Sequence, residues 1–480
     1  MQQNASPSLP TPPTLQPATS ESALYRRVWR WHFYAGLVCL PFLALLAITG
    51  ALYLYKEPIE SVLYAKLRAV DDTSGASLDA QALIANALKA QPGQHVRFNG
   101  PAVPGLSAEV GIRVPGGGTV GIYLDPVSGR VLGQLPDSQR LSEVVKGLHS
   151  LMIVGRWANY WVEIVAGWAI VLVVSGVFLW WPRGRKGGVY SLRGHSSQRL
   201  WWRDLHAFTG TVAAAAILFL AVTGMPWSAY WGQHFGRITS ELGIGLPRYL
   251  FGPGPSSSVP LASVGTSVPW MLSQAPTPLS TPPAQDPSQH AGHASVQAPL
   301  DSEDQHASSI GVNRALQIFE GLGLPPGTPV SLPSGPQGTY AAMRFPDDVR
   351  DQRVVHLDRY SGKVLSDVGY RNYGPAGRAI EWGVNIHTGL QFGWINRLVM
   401  LAACVSIVVL TVSAVVMWWK RRPKGRLAAP PRRAADRAAV GSILVAAILG
   451  AIYPLLGASM LFALLVDAAL PTRLREQFRL

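Results

Sequence analysis

Four stretches of this chain, residues 33–55, 160–181, 207–231 and 395–419, are almost wholly apolar. A helix needs about 20 such residues to cross the hydrocarbon of a bilayer. The four runs meet that length. They predict a mainly α membrane protein built on a bundle of four core transmembrane helices. A fifth run, residues 440–466, is long enough to cross but is interrupted by Pro454. Only 14% of the residues are charged, against about a quarter in soluble domains.

The net charge of +14 raises the question of nucleic acid, and the placement of the charge answers it. Arg26, Arg27 and Arg30 precede the first run. Arg183, Arg185, Lys186, Arg193, Arg199 and Arg203 fill the short link between the second and third. Lys420, Arg421, Arg422, Lys424, Arg426, Arg432 and Arg433 follow the fourth. Residues 56–146 carry nine basic and nine acidic side chains, a balanced surface. Short loops rich in Lys and Arg stay in the cytoplasm. The N-terminus is therefore expected inside, the two long loops outside, and no nucleic-acid partner is implied. A full crossing by the fifth run would strand Arg473, Arg475 and Arg479 outside, against the same rule. Cys39 and Cys404 both lie in apolar runs, so no disulfide framework is expected in the outer loops. The first 22 residues are rich in Pro, Ser, Thr and Gln and read as a disordered tail.

An internal repeat organises the chain. His32, Gly36, Thr49 and Gly50 of the first run match His206, Gly210, Thr223 and Gly224 of the third, at spacings of 4, 17 and 18 residues from the His. His149, Gly155, Ser175, Trp180 and Trp181 match His387, Gly393, Ser413, Trp418 and Trp419, at 6, 26, 31 and 32. The outer loops repeat as well. The segment from Tyr123 through Asp125, Ser128 and Gly129 to Leu132 returns as His356 through Asp358, Ser361 and Gly362 to Leu365. Each reads as strand, tight turn, strand, preceded by an amphipathic helix near residues 80–90 and 312–322. The unit of span, small outer α+β domain and span is thus written twice, as two parallel repeats.

On this topology His32 and His206 share one face of the membrane, and His149 and His387 share the other. Two imidazoles facing each other across a bundle suit a haem iron. Two non-covalent b-type haems, each bis-His, are expected, because a covalent attachment motif is absent. Gly36 and Gly210, one helical turn past their histidines, would let a flat macrocycle lie near the backbone. A lone interfacial histidine is more often an anchor. Four in register reverse that weighting. The 32 residues from His149 to Trp181 would span ~48 Å as one helix, so residues 149–159 are expected to form a separate interfacial element.

Other groups carry less. Glu163 lies in an apolar run and could pair with Arg397 or Arg156 or relay a proton. Asp204 could orient an imidazole or offset Arg203. The Trp pairs at 180–181, 201–202 and 418–419 suit an interfacial belt. His290, His293 and His306 fall in a Pro/Ser/Ala/Gln-rich insertion, about 252–305, expected to be disordered. His356 is expected on a strand surface, and His95, His195 and His234 have no repeat partner.

Taken in order, Trp-His32-x-x-x-Gly36 with Thr49-Gly50, Arg-Asp204-Leu-His206-x-x-x-Gly210 with Thr223-Gly224, His149 with Gly155 and Trp-Trp-Pro-Arg183, and His387-Thr-Gly-x-x-x-Gly393 with Trp418-Trp419 resemble the PepSY-associated transmembrane helix family. The Asp-x-x-Ser-Gly-Arg/Lys-Val-Leu segments resemble its PepSY domains. The resemblance runs from about Tyr25 to Arg422. It implies an iron-regulated bacterial inner-membrane protein similar to ferric-siderophore reductases of the ferrioxamine type, which carry two haems and reduce chelated iron in the periplasm. Some relatives carry a fused flavin-reductase domain. This sequence shows no nucleotide-binding loop, so the electron donor would be separate, a quinol or a flavoprotein.

The expected layout follows. A tail (1–24) leads into the first span (25–56) and a first periplasmic PepSY-like domain (57–146). An interfacial segment with the second span (147–182), a basic loop (183–204) and the third span (205–232) come next. A second PepSY-like domain (233–384) precedes an interfacial segment with the fourth span (385–420), a basic loop (421–438), a fifth span (439–468) and a tail (469–480). The expected function is electron transfer through haem to a periplasmic ferric chelate, His32, His206, His149 and His387 being the axial ligands. The rival readings are a membrane-anchored PepSY binding or regulatory module without enzymatic activity and a transporter. The transporter reading lacks paired intramembrane charges, and the regulatory one leaves the four histidines unexplained.

Overall fold

The computed structural model describes residues 23–71, 74–182, 190–247, 256–261, 268–273, 275–283, 309–422 and 440–469. The N-terminal tail, most of the basic loops, the C-terminal tail and His290, His293 and His306 lie outside them.

Among the described residues four helices are long and apolar enough to cross a membrane, and the chain is a membrane protein. The first is α1 (Ala23–Leu54). Two short helices, α2 (Lys56–Leu63) and α3 (Ala65–Arg68), then lead to α4 (Ala80–Ala90). Strands β1 (Gln94–Asn99), β2 (Ala108–Arg113), β3 (Thr119–Leu124) and β4 (Val131–Pro136) follow. The chain returns through α5 (Leu141–His149) to the second membrane helix, α6 (Asn159–Trp180). The third membrane helix is α7 (Arg199–Gly224), followed by α8 (Trp231–Glu241).

Beyond α8 come β5 (Ser256–Pro260), α9 (Trp270–Ser273), β6 (Pro276–Pro278), α10 (Gly311–Gly321) and strands β7 (Val330–Ser331), β8 (Thr339–Arg344), β9 (Arg353–Asp358) and β10 (Val364–Gly369). Then α11 (Pro375–His387) leads into the fourth membrane helix, α12 (Gly393–Arg421). Two apolar helices, α13 (Val440–Ile452) and α14 (Pro454–Ala469), end the described chain.

The membrane helices form a square. Each of α1 and α7 packs on both α6 and α12, so α1 and α7 face each other diagonally. Val38, Ile48, Val174, Val212 and Val222 are about half exposed or more on the outside of the square, as a lipid-facing surface requires.

The strands expected in two separate units join into one antiparallel sheet of order β10-β9-β8-β7-β1-β2-β3-β4. The join is β1 to β7, with Arg97 opposite Ser331 and Phe98 opposite Val330. Pairing the two edges satisfies backbone groups that separate sheets would leave open. It also makes one core from both halves: α4 and α10 cover one face, burying Leu83, Ile112, Leu124, Phe319 and Leu357. The two repeated turns share one chemistry. Asp125 Oδ1 accepts from the backbone N–H of Val127 at 2.9 Å, and Asp358 Oδ1 from that of Tyr360 at 2.9 Å. Gly129 and Gly362 follow at φ of +71° and +69°, where a side chain would be strained.

Three expectations need correction here. The insertion is ordered where it is described: β5 pairs with β6, and Trp270, Met271 and Leu272 are buried against Ala341, Met343, Val354 and Val368 on the second face of the sheet. Its composition hid a short apolar patch that the sheet requires as a cover. His356 is 2% exposed, because by strand alternation it shares that covered face with Val354. Its Nδ1 lies 2.8 Å from Ser366 Oγ.

The fifth run is not one crossing helix. It breaks at Tyr453–Pro454 and folds back, so that a Cβ at Gly450 would stand 3.1 Å from the Gly457 Cα. Pro454 removes a backbone donor, and the two glycines let the limbs touch. Its 13- and 16-residue limbs extend ~20 and ~24 Å, short of the ~30 Å hydrocarbon core. The hairpin packs on α6 through Leu456 against Gly167 and through Trp168 Nε1–H donating to Ser459 Oγ at 3.0 Å.

Candidate functional site: two histidine pairs in the helix bundle

The inner faces of the square are where the repeated histidines meet. His32 on α1 and His206 on α7 come together across the diagonal, with ring centres 6.4 Å apart and planes at 88°. Each is held by a hydroxyl of its neighbouring helix. His32 Nδ1 lies 2.9 Å from Ser175 Oγ on α6, and His206 Nδ1 lies 3.0 Å from Ser413 Oγ on α12. These are the serines already in register in the repeat.

His149 and His387 occupy the sheet-proximal end of the bundle. Each is the last residue of its helix, α5 or α11. His149 Nδ1 lies 2.9 Å from Thr49 Oγ1 of α1, and His387 Nδ1 lies 2.9 Å from Thr223 Oγ1 of α7. The separate element expected at residues 149–159 is present. After α5 the chain turns through Gly155, at φ +133°, before α6 begins; Gly393, at φ +61°, makes the matching turn at the start of α12.

Glycines thin the walls around these rings. A Cβ at Gly50 would meet His149 Cε1 at 3.4 Å, one at Gly224 would meet His387 Cε1 at 3.5 Å, and one at Gly176 would meet His32 Cε1 at 3.3 Å. Gly36 and Gly210 lie instead against Leu172 and Leu410, at 3.9 and 3.4 Å. They set how closely the neighbouring helices approach. Repeat register exposed Thr49, Gly50, Thr223 and Gly224 but attached no role to them. Gly176 has no repeat counterpart, since Ala414 stands at the matching position.

Neighbouring acids are accounted for otherwise. Asp204 is 3% exposed and accepts from Arg193 Nε at 2.8 Å and from Arg203 at 2.9 Å. It neutralises basic residues rather than orienting His206. Glu163 is 1% exposed, and neither Arg156 nor Arg397 is its hydrogen-bond partner. Its Oε2 accepts from the backbone N–H groups of Tyr230 and Trp231, at 3.2 and 3.0 Å, where α8 begins. A carboxylate at a helix N-terminus is favourable on electrostatic grounds. Arg397 reaches Asp347 at 3.4 Å. Among the described residues no group of three or more His, Cys, Asp or Glu gathers as a metal cluster.

The His149–His387 pair is tied to the sheet. Arg97 bonds Glu109 at 2.6 Å and Asp137 at 3.2 Å, and Arg140 bonds both acids, on the approach to α5. On the other side, Asn385 of α11 donates to Asp347 O at 2.6 Å and to Gln391 Oε1 at 2.8 Å.

The family model for the PepSY-associated TM region matches residues 29–421, which takes in all four histidines and both halves of the sheet. The chain belongs to this family. No curated protein matches the sequence. In this PepSY-associated chain both histidine pairs and their hydroxyl partners lie within the matched region.

Proposed function

We propose that the chain is a di-haem membrane protein that carries electrons across the bilayer to a ferric chelate on the side of the sheet. The observation that carries this reading is the 6.4 Å between the His32 and His206 ring centres. Two imidazoles bound to one metal through nitrogens ~2 Å from it, with each ring centre ~1 Å further out, have ring centres ~6 Å apart. A bare ion would need more protein ligands than these. A haem iron takes its equatorial ligands from the macrocycle and asks the protein for two axial histidines. His149 and His387, clamped in the same way, fit a second group.

Bound haem supplies reversible one-electron chemistry at its iron. The chain's own residues do the rest. His32 and His206 would hold one iron, and His149 and His387 the other. The hydroxyls orient the rings, and the apolar square keeps water from them. Arg193, Arg203, Lys420 and Arg421 gather at the His32–His206 end, which supports that end as cytoplasmic. The sheet and the outer pair then face the periplasm of a bacterial inner membrane. The folded-back α13–α14 hairpin supports the same orientation, because the arginines that follow it in sequence then need no crossing. The two parallel repeats would be related by a twofold along the membrane normal, and the electron donor would be a separate quinol or flavoprotein.

The substrate in this reading is Fe(III) held by a siderophore. Adding one electron gives Fe(II), which hard oxygen donors bind less well. The test is anaerobic mixing of the dithionite-reduced protein, in liposomes and freed of excess reductant, with ferrioxamine. Reoxidation of the haem bands with one trapped Fe(II) per electron lost supports the reading; fully loaded protein that stays reduced overturns the substrate.

A further inference from the structure

The four hydroxyls do more than touch the histidines. Ser175 Oγ stands 2.6 Å from Val171 O, Thr49 Oγ1 2.6 Å from Leu45 O, Thr223 Oγ1 2.6 Å from Phe219 O and Ser413 Oγ 2.9 Å from Leu410 O. Two oxygens this close repel unless a proton lies between them. A hydroxyl has one proton, and a backbone carbonyl has none to give. Each hydroxyl therefore donates to the carbonyl of its own helix and meets the imidazole only as an acceptor. The ring nitrogen opposite must carry the hydrogen. His206 adds an independent reason, since its Nδ1 also lies 3.1 Å from Leu410 O, which can only accept.

We infer that Thr49, Ser175, Thr223 and Ser413 are positioning residues that lock all four histidines in the Nδ1–H tautomer and reserve every Nε2 lone pair for a metal. The arrangement is the same four times. Ser413 is fully buried and Thr49 is 3% exposed, so water is a poor substitute acceptor at those two. Each clamp also joins elements of the same half of the chain: α1 with α6, α1 with α5, α7 with α12, α7 with α11. The rings of a pair are thus oriented independently, each by its own half of the chain, and a group held by both Nε2 atoms would bridge the halves at that point. An Nδ1–H bonded to oxygen makes the ring a stronger donor, so the clamps favour the ferric state of a bound iron.

This rests on the haem reading for the identity of the metal group, but not for the tautomer. The experiment uses full-length protein in nanodiscs, with and without added haemin, comparing wild type with Ser175→Ala, Ser413→Ala, Thr49→Val and Thr223→Val. Nitrogen NMR of ¹⁵N-histidine-labelled, haem-free protein should show pyrrole-type Nδ1 and pyridine-type Nε2 at the four sites. In the loaded protein each single variant should weaken haem retention at its own pair by about ten- to a hundredfold. It should also raise the midpoint potential of that haem alone, while Ser175→Thr and Thr49→Ser restore both. Pyrrole-type Nε2 signals in the wild type, or retention and potential unchanged in all four variants, would overturn the inference. A protein that shows the Nδ1–H pattern yet takes up no haem would keep the tautomer lock and remove the haem reading.

Discussion

The imidazoles of His32 and His206 stand 6.4 Å apart with perpendicular planes, although 174 positions separate them in sequence. Diagonal helices of the bundle carry them, and different neighbours hold them: α6 through Ser175 and α12 through Ser413. The pair is consequently sensitive to how the two halves of the bundle meet. Several consequences of that architecture can be measured.

Glu163 is a helix cap in the bundle rather than one member of an ion pair. Glu163→Ala removes the acceptor for the Tyr230 and Trp231 N–H groups and should destabilise the α8 docking by ~1–2 kcal/mol. Glu163→Gln keeps an acceptor and should cost less. Hydrogen exchange across residues 230–241 checks this, and equal protection in all three proteins would remove the cap.

Glu381 sits 2% exposed on α11 and accepts from the Met271 N–H at 2.5 Å. Burial pushes its carboxyl up to about 7, with the Met271 hydrogen bond opposing. A raised acid contributes stability that is fully present below its free value of 4.5. That contribution is lost as pH rises toward 7 and is level beyond. The slope inside this window approaches ~1.4 kcal/mol per pH unit. Melting followed between pH 4.5 and 8 should show the decline in wild type and a flatter profile in Glu381→Gln. The same slope in both would assign it to other groups.

Glu109 bonds both Arg97 and Arg140, and all three side chains are largely buried. Removing the acid leaves two guanidinium groups to share Asp137. Glu109→Ala should cost ~3–5 kcal/mol, as broken buried pairs do. It should free the approach to α5 before it disturbs α1. Limited proteolysis near residues 137–149 reads this directly, and unchanged cleavage there would contradict it.

The α13–α14 hairpin predicts that its two ends lie on the same side of the membrane. Single cysteines at residues 440 and 469, in a background with Cys39 and Cys404 replaced, should react with an impermeant reagent from the same face. Labelling from opposite faces would restore a fifth crossing. Gly457→Leu should loosen the hairpin, since even a Cβ there would collide with the Gly450 Cα.

What could be read from the sequence was periodic or repeated. The four spans, the break after His149, the Asp-Ser-Gly turns and the register of the histidines with Ser175 and Ser413 all come from local pattern. What escaped was pairwise and distant. The β1–β7 seam depends on two edges far apart in sequence, Phe98 and Val330 for instance, 232 positions apart, meeting without a turn to announce them. Trp270, Met271 and Leu272 were masked by the surrounding Pro and Ser. Glu163 looked like a charge in need of a counter-charge, but its partners are backbone N–H groups with no residue signature. Thr49 and Thr223 were visible in the repeat, and only the fold shows that each meets a histidine.

The most direct measurement is a reduced-minus-oxidised absorption spectrum of the purified protein, with haem extracted and counted per chain. Sharp low-spin b-type bands and two haems per chain are expected. One haem should be lost in His32→Ala or His206→Ala and the other in His149→Ala or His387→Ala. A folded, colourless protein from haem-replete cells would contradict the di-haem reading.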